Sequence, residues 1–213
     1  MSRSRLDRRT RRARSQGRDG RTALLDAAVT VLSERGYRDA SVDEIADRAG
    51  YSKGAFYWHF ASKDHLFFAL LDERIDRRWR ETIALLETAG PERDMAPEAS
   101  RSFGEVLRGQ RELLLIDQEY WSLAVRDPRL RSRYAERQAS LRRALARAIV
   151  ARLEHLGAPP LDPAGAEEMA TAFIGLTRGL AAERLIDPDA VPARLLGQTL
   201  ALVYAGHVAR ATR

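Results

Sequence analysis

Lys53, Tyr57, His59 and Lys63 lie within a run of eleven residues, and Gly54 and Ala55 stand between the first two. Ammonium, phenol and imidazole groups at this spacing are hydrogen-bond donors suited to phosphate oxygens and base edges. The same run holds five aromatic rings: Tyr51, Phe56, Tyr57, Trp58 and Phe60. Phe56 and Phe60, four apart, share a helix face that can pack inward, which turns Tyr57 and His59, with Lys53, outward. Trp58 fits either role. Gly54 and Ala55 are small enough to let a helix approach base edges, and Ala55 can pack on a thymine methyl. Lys63, in the first turn of the next helix, is placed for a phosphate.

Bond-making chemistry finds no comparable constellation. The histidines at 59, 65, 155 and 207 are dispersed, and the chain has no His-Glu-x-x-His pair, Gly-rich phosphate loop or Gly-x-Ser-x-Gly elbow. It has no cysteine, which removes disulfides, thiolate metal sites and cysteine nucleophiles. We expect no enzyme, no catalytic residue, no metal and no cofactor.

Charge points toward a polyanion. Residues 1–20 carry eight arginines and two aspartates, so the whole formal net charge of +6 sits in this arm and the rest of the chain sums to zero. A basic arm on a neutral body suits nucleic acid, with a solvated disordered tail as the other reading. Lysine occurs only at 53 and 63 in a chain that otherwise uses arginine. No apolar run approaches the roughly 20 residues of a membrane span, so the protein is expected in the cytoplasm, off the membrane.

Helices must carry these groups, because no segment sustains the period-two alternation of a strand. Arg21 to Arg35 places Leu24, Leu25, Ala28, Val31 and Leu32 on one stripe, and Gly36 ends it. Ser41 with Glu44 three residues on forms a capping box for a short helix that stops at Gly50. Ser52 caps a third helix, Lys53 to His59. Ser62 starts a fourth that runs to about Leu86, with Leu66, Leu70, Leu71, Ile75, Trp79 and Ile83 inward. After the Pro/Gly-rich stretch 89–100, helices follow from about 100 to 125, from Pro128 to about His155, from Pro163 to Ile186, and from Val191 to Arg210. The fold class is all-α. We expect a disordered basic arm at residues 1–20, a three-helix helix-turn-helix domain at 21–66, and a larger helical domain at 67–213.

Two short helices joined by a tight glycine-containing turn suit major-groove docking of the second helix. Thr22 to Leu71, with its "ERGY" helix end, "SVDEIADRAG", "SKGAFYWHF" and "SKDHL", resembles the DNA-binding region of the TetR family of bacterial transcriptional repressors. The resemblance implies phosphate contacts from Ser41, Ser52, Tyr57, His59 and Lys63, and places Lys53, Gly54, Ala55 and Trp58 at or near base edges. Ala55 stands where many members have threonine, which removes a hydroxyl. Tyr51 replaces a common small aliphatic residue.

The remaining chain resembles the family's C-terminal domain in helix order and length. That implies a homodimer through the last two long helices, a small-molecule effector held by the helices before them, and a pseudo-palindromic double-stranded DNA operator. Thr171, Gly175 and Gly179, every fourth residue, form a low ridge that a partner helix can approach closely, or that packs within one subunit. For effector binding the inward faces offer Trp79, Phe103, Leu107, Tyr120, Trp121, Phe173 and Thr177, each of which also suits plain core; an inward Arg178 would pair an acidic effector, but an exposed face is expected. Two functions remain open: an effector-released repressor, or a non-specific architectural DNA binder that uses the Arg-rich arm.

Overall fold

The expected capping box is formed: the Glu44 N–H donates to Ser41 Oγ at 3.1 Å, and the Ser41 N–H donates to the Glu44 carboxylate at 3.4 Å. It opens α2 (Val42–Arg48), and Gly50, at φ 75°, turns the chain toward α3 (Lys53–His59). A positive φ here strains any side chain with a Cβ, so glycine sets the tight turn. Ser52 and Ser62 cap α3 and α4 (Lys63–Leu70) through the N–H groups of Ala55 and His65. This computed structural model describes residues 3–109, 111–192 and 194–211, and among these no strand occurs.

The first helix, α1 (Arg3–Asp39), departs from helical geometry at Gly36, φ 79°. It takes in most of the segment expected as a disordered arm. The departure has a physical basis: arginine, alanine, leucine and glutamine are good helix formers, and the segment has no proline to break the run. The arginine side chains of residues 3–18, for which DNA contact and a solvated tail are both open readings, lie outside those described.

Beyond α4 the chain makes one π-helical turn, Leu71–Ile75, before α5 (Asp76–Thr88), so the long fourth helix is interrupted where it leaves the head. The helix expected over 100–125 is two, α6 (Ala96–Gly109) and α7 (Arg111–Arg126). Asp127 caps α8 (Pro128–His155), Asp162 caps α9 (Pro163–Ile186), and α10 (Leu195–Ala211) follows.

One apolar cluster joins Leu24, Leu25 and Leu32 of α1 to Ile45, Phe56, Phe60, Leu66 and Phe67, and continues into Leu113, Ile116 and Tyr120 of α7. It does not stop at residue 66. Each such side chain is worth roughly 1.5–3 kcal/mol on burial, so α7 belongs to the head's foundation as much as to the body. A second cluster sets Leu145, Ile149 and Leu153 of α8 against Ala166, Ala170 and Phe173 of α9. A third gathers Phe103, Ala181, Val191 and Leu196, seating α10 on α6.

Candidate nucleic-acid interface and interior cavity

The rings of α3 divide as the helical period requires. Phe56 and Phe60 are fully buried, whereas Tyr57 is 50% and Trp58 74% exposed, which puts Trp58 on the surface. Lys53 and Tyr57, four apart, share one row, and Gly54 and Trp58 the next. Lys53 Nζ pairs with Asp43 of α2 at 2.9 Å, and that hydrogen bond and charge raise the ammonium pKa. Ser41 and Ser52 are exposed at the N-termini of α2 and α3, where helix amides already favour an anion.

His59 sits against α1: a methyl group added at Gly20 would meet its Nε2 at 3.0 Å. Burial lowers the imidazole pKa, and the nearby Arg21 charge lowers it further. Arg21 lies over the Phe60 ring at 4.8 Å and pairs with Glu73, tying the base of α1 to the π turn.

Lys63 departs from expectation. Its Nζ donates to the carbonyl oxygens of Tyr37 at 2.6 Å, Arg38 at 3.2 Å and Ala40 at 2.7 Å, and lies 4.6 Å from the Tyr37 ring centroid. An ammonium has three N–H donors, and all three are taken. The three carbonyls sit beside the Gly36 break, where helical hydrogen bonding runs out and acceptors need a donor. Burial lowers the Lys63 pKa. Lys63 therefore closes the link between α1 and α2.

A cavity of about 740 Å³ opens among α5, α6, α8, α9 and α10. Trp79, Phe103, Phe173 and Thr177 line it, as expected. Leu107, Tyr120 and Trp121 do not. Leu107 packs into the cluster between α6 and α10. Tyr120 is fully buried toward α1 and α4, stacked on Phe67 at 4.0 Å, because it shares the α7 stripe of Leu113, Ile116 and Ala124. Trp121, about 100° further round the helix, is left 49% exposed. Arg178 corrects the expectation of an exposed face: it lines the cavity, pairs with Asp117 at 3.3 Å and donates to the Tyr134 hydroxyl at 2.9 Å.

Residues 24–70 match the family described as bacterial regulatory proteins of the tetR family, and residues 105–205 match the C-terminal domain of BetI-type transcriptional repressors. Together the matches cover about two thirds of the chain. The chain belongs to the TetR family. It is 36% identical over 113 residues to the HTH-type transcriptional activator FasR of Mycolicibacterium smegmatis, a match that covers 52% of each chain. The chain spans about half, or less, of the length of the first curated relatives it matches. A solved transcriptional regulator from Pseudomonas aeruginosa PAO1 superposes with a TM-score of 0.71 at 24% identity, covering 89% of this chain and 90% of that one. The multidrug binding protein EbrR, solved with imidazole, superposes at 0.60 and 24% identity over 86% of this chain and 89% of that one. The matched families and these curated relatives are transcriptional regulators. Among its described residues no helix is long and apolar enough to cross a membrane.

Three residues of this TetR-family chain that sequence reasoning passed over stand at the cavity or the head–body joint. Glu119 accepts the Tyr37 backbone N–H; Arg152 and Tyr204 line the cavity. Arg152 had a legible signal. It follows Leu145 and Ile149 on the inward stripe of α8, where an arginine must find acceptors in the interior.

Proposed function

We propose that the protein is a homodimeric repressor that reads a pseudo-palindromic operator with α3 and leaves it when a small molecule fills the cavity. The observation that carries the reading is continuity. The chain that begins at Ser62, beside the exposed Tyr57–Trp58 face, passes through the π turn, whose Ile75 borders the cavity, into α5, whose Arg78 and Trp79 border it too. A ligand that moves the start of α5 therefore acts on the base of the head. Couplings of this kind are typically about 1–3 kcal/mol. In this reading Ser41, Ser52, Tyr57 and His59 face phosphates, and Lys53, Gly54, Ala55 and Trp58 lie at base edges. Ala55 gives a methyl contact in place of a hydroxyl.

Two reading heads require a spacing near one helical turn of DNA, about 34–36 Å, or a multiple. A second copy on the outer faces of α9 and α10 supports that arrangement. Gly175 and Gly179 have open space where a Cβ would stand, and Ile186 and Leu202 are 86% and 72% exposed. EbrR, described as a multidrug binding protein, supports a small-molecule ligand for this fold. The work of such a protein is on the chromosome, in the cytoplasm.

Competition between the DNA upstream of its own gene and random DNA tests the reading. A specific regulator discriminates by a factor of about 10³ or more. Equal affinity for both would instead favour an architectural binder working through the Arg-rich arm.

A further inference from the structure

The ionised groups around the cavity are almost all neutralised. Arg137 pairs with Asp76 and Asp72, Arg178 with Asp117, and Arg78 with Glu81 and Glu105. At the rim, Glu98 pairs with Arg93 and Arg101, and Asp94 accepts the Ala96 N–H, while Glu92 is exposed to solvent. Arg152 is the buried exception. It is 4% exposed and, among the described residues, has no carboxylate partner. Its Nη1 donates to the carbonyl oxygens of Ala89 at 2.8 Å and Gly90 at 2.7 Å, and Nη2 to that of Arg93 at 2.6 Å. Carbonyl oxygens at the end of α5 satisfy N–H groups but bring only the partial negative charge of a helix terminus, and a buried charge without a full counterion is costly. These bonds leave two of the guanidinium's five donors, the Nε–H and one on Nη2.

Tyr204, on α10, converges on the same place. Its hydroxyl is buried and, among the described residues, has no hydrogen-bond partner. Burial pushes its pKa up to about 12, and its ring lies 5.6 Å from that of Phe173, against the cluster that holds Leu145, Ile149 and Leu153 of α8. Both line the cavity, and so do the apolar Leu86, Leu145, Phe173 and Leu200. Ala89 ends α5 and Asp76 begins it, which separates Arg152 from the paired Arg137 by about 20 Å of helix. A cation held only by carbonyl oxygens and an idle hydroxyl thus stand beside the apolar part of the chamber wall.

We propose that this end of the cavity receives the acid group of an amphipathic effector, a monocarboxylate on an apolar body, with the Tyr204 hydroxyl and the Arg152 guanidinium as its partners. The inference rests on the effector-released reading above, because it names the ligand chemistry of that site. The carboxylate would complete the donors left over on Arg152 and supply the missing countercharge, while the apolar body covers Phe173 and Leu200. A neutral alcohol satisfies the hydroxyl but not the charge. An amine adds a second cation beside Arg152.

The test uses decanoate, 1-decanol and decylamine, which share one chain length, titrated calorimetrically into the full-length protein below micellar concentrations. Decanoate should bind about tenfold more tightly than either of the others, as charge-assisted hydrogen bonds exceed neutral ones. Tyr204→Phe, which keeps the ring and its packing on Phe173, should remove several-fold of the decanoate affinity and less of the 1-decanol affinity, because the bond to a carboxylate is the stronger of the two. Three outcomes overturn the proposal: 1-decanol or decylamine binding as tightly as decanoate, a decanoate preference untouched in Tyr204→Phe, or no binding of any of the three by protein that still binds its operator. A gel-shift assay with operator DNA separates this from the parent reading. Decanoate that binds without releasing DNA leaves the acid site standing and overturns effector release.

Discussion

Glu119 Oε1, on α7, accepts the backbone N–H of Tyr37 at 2.7 Å, just past the Gly36 break in α1. The carboxylate thus closes the C-terminal end of a head helix from the body. Glu119→Ala leaves that partly buried N–H without an acceptor, a loss of about 1–3 kcal/mol. Glu119→Gln keeps an acceptor oxygen and should lose distinctly less. Urea denaturation of the two variants checks the ordering, and equal losses would move the cause from the hydrogen bond to charge.

Lys63→Met should act on stability rather than on phosphate contact. Three carbonyl oxygens lose their donor while the alkyl stem stays, so the urea midpoint falls. Operator affinity weakens only through a loosened head, and the slope of log affinity against log salt stays at the wild-type value. A slope shallower by about one would instead place the ammonium on the DNA.

The head was legible in the sequence because its signals are local. The capping box at Ser41 and Glu44, the turn at Gly50 and the four-residue spacing of Phe56 and Phe60 each depend on neighbours within one or two turns. Lys63 misled for the opposite reason. Its acceptors at Tyr37, Arg38 and Ala40 lie more than twenty residues upstream, and only the packed link between α1 and α2 brings them together. The cavity lining was half legible: apolar spacing finds the inward stripe of a helix but not which neighbour that stripe faces. Tyr120 is inward on α7, yet the inside it meets is the head.

His59 gives operator binding a pH dependence with a definite sign. Burial and the Arg21 charge hold its imidazole below the ordinary value in the DNA-free protein. A phosphate beside it favours the protonated ring and raises that value, so binding takes up a proton. Affinity should therefore rise as pH falls through the interval between the DNA-bound and DNA-free values. Measuring affinity from about pH 8 to about pH 5.5, a range that brackets an ordinary histidine, tests this, with His59→Gln expected to flatten the slope. An unchanged slope in that variant removes His59 from the interface.

Gly179→Leu tests the dimer face. Gly179 is exposed and nothing lies within 4 Å of a Cβ there, so the added side chain starts into open space within the subunit. A partner helix lying on the low ridge would close that space. Sedimentation should show association weakened by at least about tenfold, roughly 1.4 kcal/mol, with helical content unchanged. Wild-type association would place the interface elsewhere.

Gly197→Ala should destabilise the chain, although alanine at an open helical position normally gains about 1 kcal/mol over glycine. A methyl at Gly197 would overlap the backbone carbonyl oxygen of Ala96 and the Ser100 hydroxyl. Ala96 opens α6, so the clash cannot be relieved by a side-chain rotation, and α10 must move off α6. Overpacking of this kind costs about 1–3 kcal/mol, which exceeds the propensity gain. Gly197 and Ala96 also both line the cavity, so the same shift should widen it and weaken whatever ligand it holds. Thermal denaturation of Gly197→Ala beside wild type tests this. The variant should melt lower; a Gly197→Ala protein as stable as wild type would mean that the contact between α10 and α6 yields without loss.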